Sequence, residues 1–260
     1  MYSITIDVFK KIVTAPLFSN LLNKEDMVMP TKERRKLREG DRRVSPPCRP
    51  IELDMATVEA KFSHLEHDVK LVFFGRESDI TQCRQAKDLF KCVASVTAKI
   101  GYEEYNFSIN KEKSREYGIF DVPALAIIGE KDFGVRYYGC PTGLEVINFL
   151  ENVVLVSRGR AQLPAEVVSR LQTLDQEVRL KVFLSDVCPY SHPVAKLALK
   201  LAIACDHISI DVIDATEFLE EAEKYNVRGI PMTVINECKS FYGSLPAEEY
   251  LNMIISCAQG

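Results

Sequence analysis

The sequence predicts an α/β chain of two tandem units, each a mixed central sheet with helices on both faces. Three observations carry this. The order of strand-like and helix-like patterns after residue 51 occurs twice. Tyr117 and Tyr225, Val122 and Ile230, and Pro123 and Pro231 each recur at the same offset of 108 residues. In both copies a helical pattern lies between two apolar runs, which implies parallel strands joined by a right-handed crossover. The divisions read as an N-terminal segment 1–50, a first domain 51–158 and a second domain 159–260. A chain of 260 residues with 47% hydrophobic content is large enough for two ordinary domains with sizeable cores.

Each copy opens with a helical pattern, at about 54–65 and 164–175. The runs "VKLVFF" (69–74) and "VRLKVFL" (178–184) read as buried strands. A short polar loop follows, then helical patterns over 83–100 and 191–204. Second strands are expected at 103–109 and 207–213, followed by short charged helices ending at Tyr117 and Tyr225. Third strands lie in 121–128 and 229–236, and their closeness to the next apolar runs implies hairpins. The segments 133–143 and 238–249 supply the return strands and Gly/Pro exit turns. Helices over 144–156 and 246–257 close the copies.

The net charge of −4 gives no general reason to expect nucleic-acid binding. No apolar run reaches the roughly 18 residues that span a membrane. Asp7, Lys10 and Lys11 interrupt the first 22 residues, which make a poor secretory signal. None of the eight cysteines forms a Cys-x-x-Cys pair, so zinc-ribbon spacing is absent and no metal is expected. The expectation is a cytoplasmic chain with reduced thiols, most of them small apolar filler. No nucleotide or flavin motif is found, so no cofactor is expected. Residues 1–29 are partly amphipathic and broken at Pro16, and 31–50 are basic and proline-rich. They read as a flexible tail, with weak contact to a membrane surface or an acidic partner as the second reading.

The stretch "DVCPYSHPV" (186–194), the order of elements and the proline ahead of each hairpin resemble the thioredoxin/glutaredoxin fold. The tandem arrangement resembles the protein disulfide oxidoreductases of archaea and bacteria. It also resembles the N-terminal domain of alkyl hydroperoxide reductase flavoproteins, whose first unit ends in a segment similar to "YYGCPTGLEVINFL" (137–150). The resemblance covers about 51–260. It implies thiol–disulfide chemistry at the box Cys188-Pro189-Tyr190-Ser191, and cis peptides at Pro123 and Pro231. It also implies an extended substrate that pairs with the backbone of Ile230, beside Pro231, as an added strand, in contact with Pro189 and Tyr190.

Both boxes are altered. The 108-residue offset maps Cys188 to Ile80 and Ser191 to Cys83, so the first box reads "ITQC" and the second "CPYS". A thiol just ahead of a helix faces exposed N–H groups and the positive end of the helix dipole. That lowers a thiol pKa from about 8.5 and favours the nucleophilic thiolate. Pro189 suits a first helical turn, where its missing N–H is not needed. Three residues on, a second cysteine would share the helix face and release the substrate. Ser191 cannot, although its hydroxyl could donate to the Cys188 thiolate. His192, if protonated, would favour the thiolate and Asp186 would oppose it. Cys83, with Ile80 in place of a nucleophile, is expected to be a buried thiol. Val122 and Pro123 then belong to a degenerate first site used for packing and recognition.

The stretch "NECKSFYGS" (236–244) lacks the Gly-Gly turn of glutathione-binding glutaredoxins. This counts against that route to glutathione and against a shared iron–sulfur cluster. The leading expectation is a disulfide oxidoreductase acting by a monothiol mechanism through Cys188. Its substrate would be a disulfide in a protein or small molecule, and an external thiol or reductase would resolve the adduct. The alternative is a redox-inactive peptide-binding or scaffold protein on the same fold.

Overall fold

The structure, a computed structural model, describes residues 55–76 and 82–258. The expectations for residues 1–50 and for Ile80 lie outside the described residues. The first half runs α1 (Met55–Phe62), β1 (Val69–Gly75), α2 (Gln82–Ser95), β2 (Ile100–Asn106), α3 (Lys111–Glu116), β3 (Ala124–Ile128), β4 (Val135–Tyr138) and α4 (Leu144–Arg158). The second repeats the order with α5 (Ala165–Leu171), β5 (Val178–Leu184), α6 (Ser191–Ala204), β6 (Ile208–Asp214), α7 (Leu219–Lys224), β7 (Met232–Ile235), β8 (Lys239–Tyr242) and α8 (Ala247–Ala258).

Strand alternation places Leu71 and Phe73 of β1 in one core, and Val72 and Phe74 in the core on the other face. The larger core lies under α1, α2, α4, α5, α6 and α8. The smaller lies toward α3 and α7 and takes in Tyr138, Phe183, Phe218 and Met232. The leading helices end early, at Phe62 and Leu171, and β2 ends at Asn106, but the largest departure from the sequence reading lies between α2 and β2. α2 ends at Ser95 instead of reaching residue 100, and β2 starts at Ile100 instead of 103. Val96 and Thr97 are β-branched and favour leaving the helix. The Thr97 hydroxyl then accepts the Lys99 N–H at 3.3 Å, a local bond that competes with helical pairing. β2 can then run parallel to β1 from Val69↔Ile100 to Gly75↔Asn106.

The strands form a single sheet in the order β2-β1-β3-β4-β6-β5-β7-β8. In each half a parallel pair is extended by an antiparallel hairpin. The halves join where β4 pairs in parallel with β6, from Val135↔Ile210 to Tyr138↔Ile213. Gly134 makes the start of this seam possible. Its φ is +70°, and a Cβ there would lie 2.8 Å from Ser209 Cβ. Its carbonyl accepts the Ile210 N–H at 2.9 Å. Beside the seam, buried Asp211 accepts from Arg179 Nε at 2.6 Å, so its charge is paired.

β4, β5 and β6 are mutually parallel, so their C-terminal ends lie at one edge of the sheet. The segment after β4 and the Cys188 loop after β5 meet there, in the position where α/β sheets commonly bind ligands. No helix among the described residues is long and apolar enough to cross a membrane.

Candidate active site

β5 delivers the chain into a tight loop. The Cys188 N–H donates to Ser185 O at 3.1 Å, and the Ser191 N–H donates to Cys188 O at 3.1 Å. The helix opens at Ser191, so Pro189 sits in the turn before it and not in its first turn as expected. The second hydrogen bond closes a four-residue turn with Pro189 at its second position, where a fixed φ is favoured. Cys188 is thereby held half-buried, one turn ahead of the helix. Its Sγ donates to the Ile230 carbonyl at 3.7 Å.

The Ile230–Pro231 and Val122–Pro123 peptide bonds are both cis. Ile230 remains half-exposed, whereas its counterpart Val122 is buried. Pro123 and Pro231 are both buried. Around the thiol, Val187 is 82% exposed, Tyr190 is 52% exposed, and Pro189 also faces solvent. The second half therefore offers an open apolar rim beside accessible backbone. Cys83 is buried, in the same core as Val122 and Phe74.

Ser191 is buried, and its hydroxyl accepts the Ser185 N–H at 3.5 Å. It faces the end of β5, while the Cys188 thiol faces Ile230. His192 is turned toward α4. Its Nε2 lies 3.5 Å from Glu151 Oε2, and Lys196 reaches the same oxygen at 3.0 Å. Burial and the Lys196 charge push His192 below its usual value, against the pull of Glu151. It is therefore neutral near pH 7 and brings no cation to Cys188. Burial would raise Glu151, but hydrogen bonds from Lys61 and Lys196 hold it at about 2.

An acidic cluster beside the thiol loop has no counterpart in the sequence reading. The segment after β4 forms a shallow pocket with Glu145, Asp186 and Asp214. The Thr142 hydroxyl donates to Asp186, and Glu217 accepts the Cys140 N–H at 3.1 Å. Burial pushes Glu145 and Glu217 up to about 7 each, and the charges of Asp214 and Asp186 add to the rise. Glu145, Asp186 and the pair Asp214 and Glu217 come from three separate segments, so no linear motif announces the cluster. Among the described residues, no group of three or more His, Cys, Asp or Glu side chains is arranged to hold a metal ion.

Both raised glutamates bind protons in the folded chain that they release on unfolding. Their contribution to stability is full below about pH 4.5 and is lost as pH rises through about 7. Glu145→Gln should flatten this fall and leave the variant more stable than wild type at pH 8 by about 2 kcal/mol. Urea unfolding across pH 4.5 to 8 reads this directly, and an unchanged slope would contradict it.

The other thiols are spread over the sheet. Cys205 follows the 14-residue helix α6, which carries it roughly 20 Å from the start of that helix. Cys238 follows Ile235, which pairs with Leu180 toward the opposite end of β5 from the Cys188 loop. Neither can reach Cys188. Cys140, in the segment after β4, lies at the same edge of the sheet and is buried.

The thioredoxin domain family model matches residues 178–256, from the first residue of β5 into α8. A probable thioredoxin of Archaeoglobus fulgidus is 33% identical over 84 residues, 32% of this chain and 91% of that protein. The chain belongs to the thioredoxin family. The family match falls on the half of this thioredoxin-family chain that carries Cys188. An alkyl hydroperoxide reductase of Pseudomonas putida is 24% identical over 123 residues, 47% of this chain. The chain spans only 24% of the length of that relative.

Two solved structures share the fold of this family member over more than one half. A protein disulfide oxidoreductase from Aeropyrum pernix K1 gives a TM-score of 0.74 at 22% identity, covering 82% of this chain and 97% of that one. The alkylhydroperoxide reductase AhpF from Enterococcus faecalis gives 0.71 at 21% identity, covering 77% and 96%.

Proposed function

We propose that this chain is a cytoplasmic thiol–disulfide oxidoreductase that works by a monothiol mechanism through Cys188. The observation that carries the reading is the Cys188 thiol on the Ile230 carbonyl, half-exposed beside an open apolar rim. An extended substrate that pairs with the Ile230 backbone takes over that carbonyl and brings its own sulfur to the thiol. Cys188 gives its proton to solvent and attacks one sulfur of the substrate disulfide. That S–S bond breaks, the other sulfur leaves as a thiolate, and a mixed disulfide remains on Cys188.

Ser191 has no sulfur with which to continue. An external thiol attacks Cys188 Sγ and releases the second substrate thiol. A second external thiol then restores Cys188 and leaves as the oxidised donor. The reaction moves two electrons, all supplied from outside the chain. Within this reading, residues 159–260 form the catalytic domain. Residues 51–158 form a packing and recognition domain in which Cys83 has no redox role.

The test is to mix the reduced wild type with a peptide disulfide, quench with acid, and map adducts by mass spectrometry. A persistent adduct on Cys188 is expected, with turnover that rises with added small thiol. The exposed Val187 and Tyr190 would also suit binding of extended peptide without redox chemistry. That second reading prevails if the peptide binds and no adduct forms.

A further inference from the structure

Two further cysteines meet at the edge of the sheet remote from Cys188. β7 and β8 are joined by the three residues 236–238, of which Asn236 and Glu237 have φ of 47° and 58°. The Cys238 N–H closes it onto Ile235 O at 2.8 Å. The four-residue turn from Ile235 to Cys238 thus has positive φ at both central positions, and it fixes where Cys238 stands. Cys238 is exposed, and Cys257, in the last turn of α8, is buried.

Their chain neighbours are joined directly, since Lys239 Nζ donates to Ser256 Oγ at 2.6 Å. The same hairpin and helix are held a few residues away by Phe241 and Tyr250, whose rings pack edge-on at 5.0 Å. Burial pushes the Cys257 thiol up to about 11, and the adjoining Cys238 thiol adds to the rise. Two thiols from different elements thus adjoin, one open to reagents and one shielded behind it.

We propose that Cys238 and Cys257 form a second dithiol centre, independent of Cys188, which oxidises to an intramolecular disulfide and clips the end of α8 to the β7–β8 turn. The oxidant is a low-molecular-weight disulfide. Exposed Cys238 loses its proton and attacks one sulfur of that disulfide, whose S–S bond breaks to release one small thiol. Cys257 then loses its proton and attacks Cys238 Sγ, forming the internal bond and releasing the second small thiol. One disulfide is consumed, one is formed, and two electrons pass to the reagent. A raised Cys257 thiol is a poor nucleophile toward free reagents. Its attack on a sulfur held beside it is aided by the high effective concentration of the pair. The centre would record the thiol–disulfide balance of the surroundings in the stiffness of the hairpin that begins just after Pro231.

The test treats the reduced full chain, its Cys188→Ser variant and its Cys257→Ala variant with oxidised glutathione. Remaining thiols are then alkylated under denaturing conditions and the digests are mapped. Linked peptides containing Cys238 and Cys257 are expected in wild type and in Cys188→Ser alike. Their yield should exceed that of any other cysteine pair by about tenfold. In Cys257→Ala, a mixed disulfide with glutathione should persist on Cys238. If that variant does not fold, the exposed change Cys238→Ser should leave Cys257 alkylatable after treatment. The proposal is overturned if wild type keeps the mixed disulfide on Cys238 while Cys257 remains alkylatable, or if the product is a Cys238-linked dimer. Formation in Cys188→Ser separates this result from the fate of the oxidoreductase reading.

Discussion

Cys188→Ser is expected to abolish disulfide reductase activity, with a loss of about a thousandfold or more in turnover. A serine hydroxyl is not ionised near neutral pH and cannot form the mixed disulfide. Cys188 is also the residue whose sulfur lies on the Ile230 backbone at the open end of the sheet. The paired variant Cys83→Ser should keep nearly full activity. Cys83 is buried among Phe74, Val122 and Ile119 in the first half of the sheet. Its substitution places a hydroxyl in an apolar core and should lower stability by about 1 to 3 kcal/mol. Activity per folded molecule should stay within about twofold. An assay with a model protein disulfide and a small-thiol donor, corrected for folded fraction, decides both. Loss of activity in both variants would mean that the half-boxes act together.

Ser191→Cys should change the kinetics from external to internal resolution. In the proposed mechanism the wild-type adduct waits for a donor, because position 191 holds a hydroxyl. A sulfur there would stand one turn from Cys188 and act at a high effective concentration. The adduct lifetime should fall by about a hundredfold, and turnover should lose most of its dependence on small thiol. Ser191 is buried against the Ser185 N–H, so the new thiol would be shielded until the adduct forms. Rapid single-turnover resolution by the wild type without external thiol would sink the monothiol mechanism. Cys205 and Cys238 are too remote to account for such a result. Cys140, at the same edge of the sheet, would become the residue to test.

Much of this chain can be read without coordinates. The apolar run 178–184 is β5 and the helical pattern 191–204 is α6, with the ends as expected. Long runs bury one face or two, and that burial dominates local preference. The sequence reading places the exchange of α2 for β2 three to five residues too late, because two β-branched residues and one hydroxyl bond decide it. Such effects are small against the periodic signal around them.

The sequence by itself determined the element order and its recurrence along the chain, because these rest on local pattern and on landmarks at a constant offset. Only the tertiary structure decided the rest. It joined the two sets of strands at β4 and β6, where Gly134 lets the backbone approach Ser209. It turned His192 to Glu151, gathered Glu145, Asp186, Asp214 and Glu217 beside the thiol loop, and set Cys238 against Cys257. Each of these brings together residues distant in the chain. Pairing, desolvation and charge interaction act through space, over a few ångströms, and sequence separation carries no trace of them.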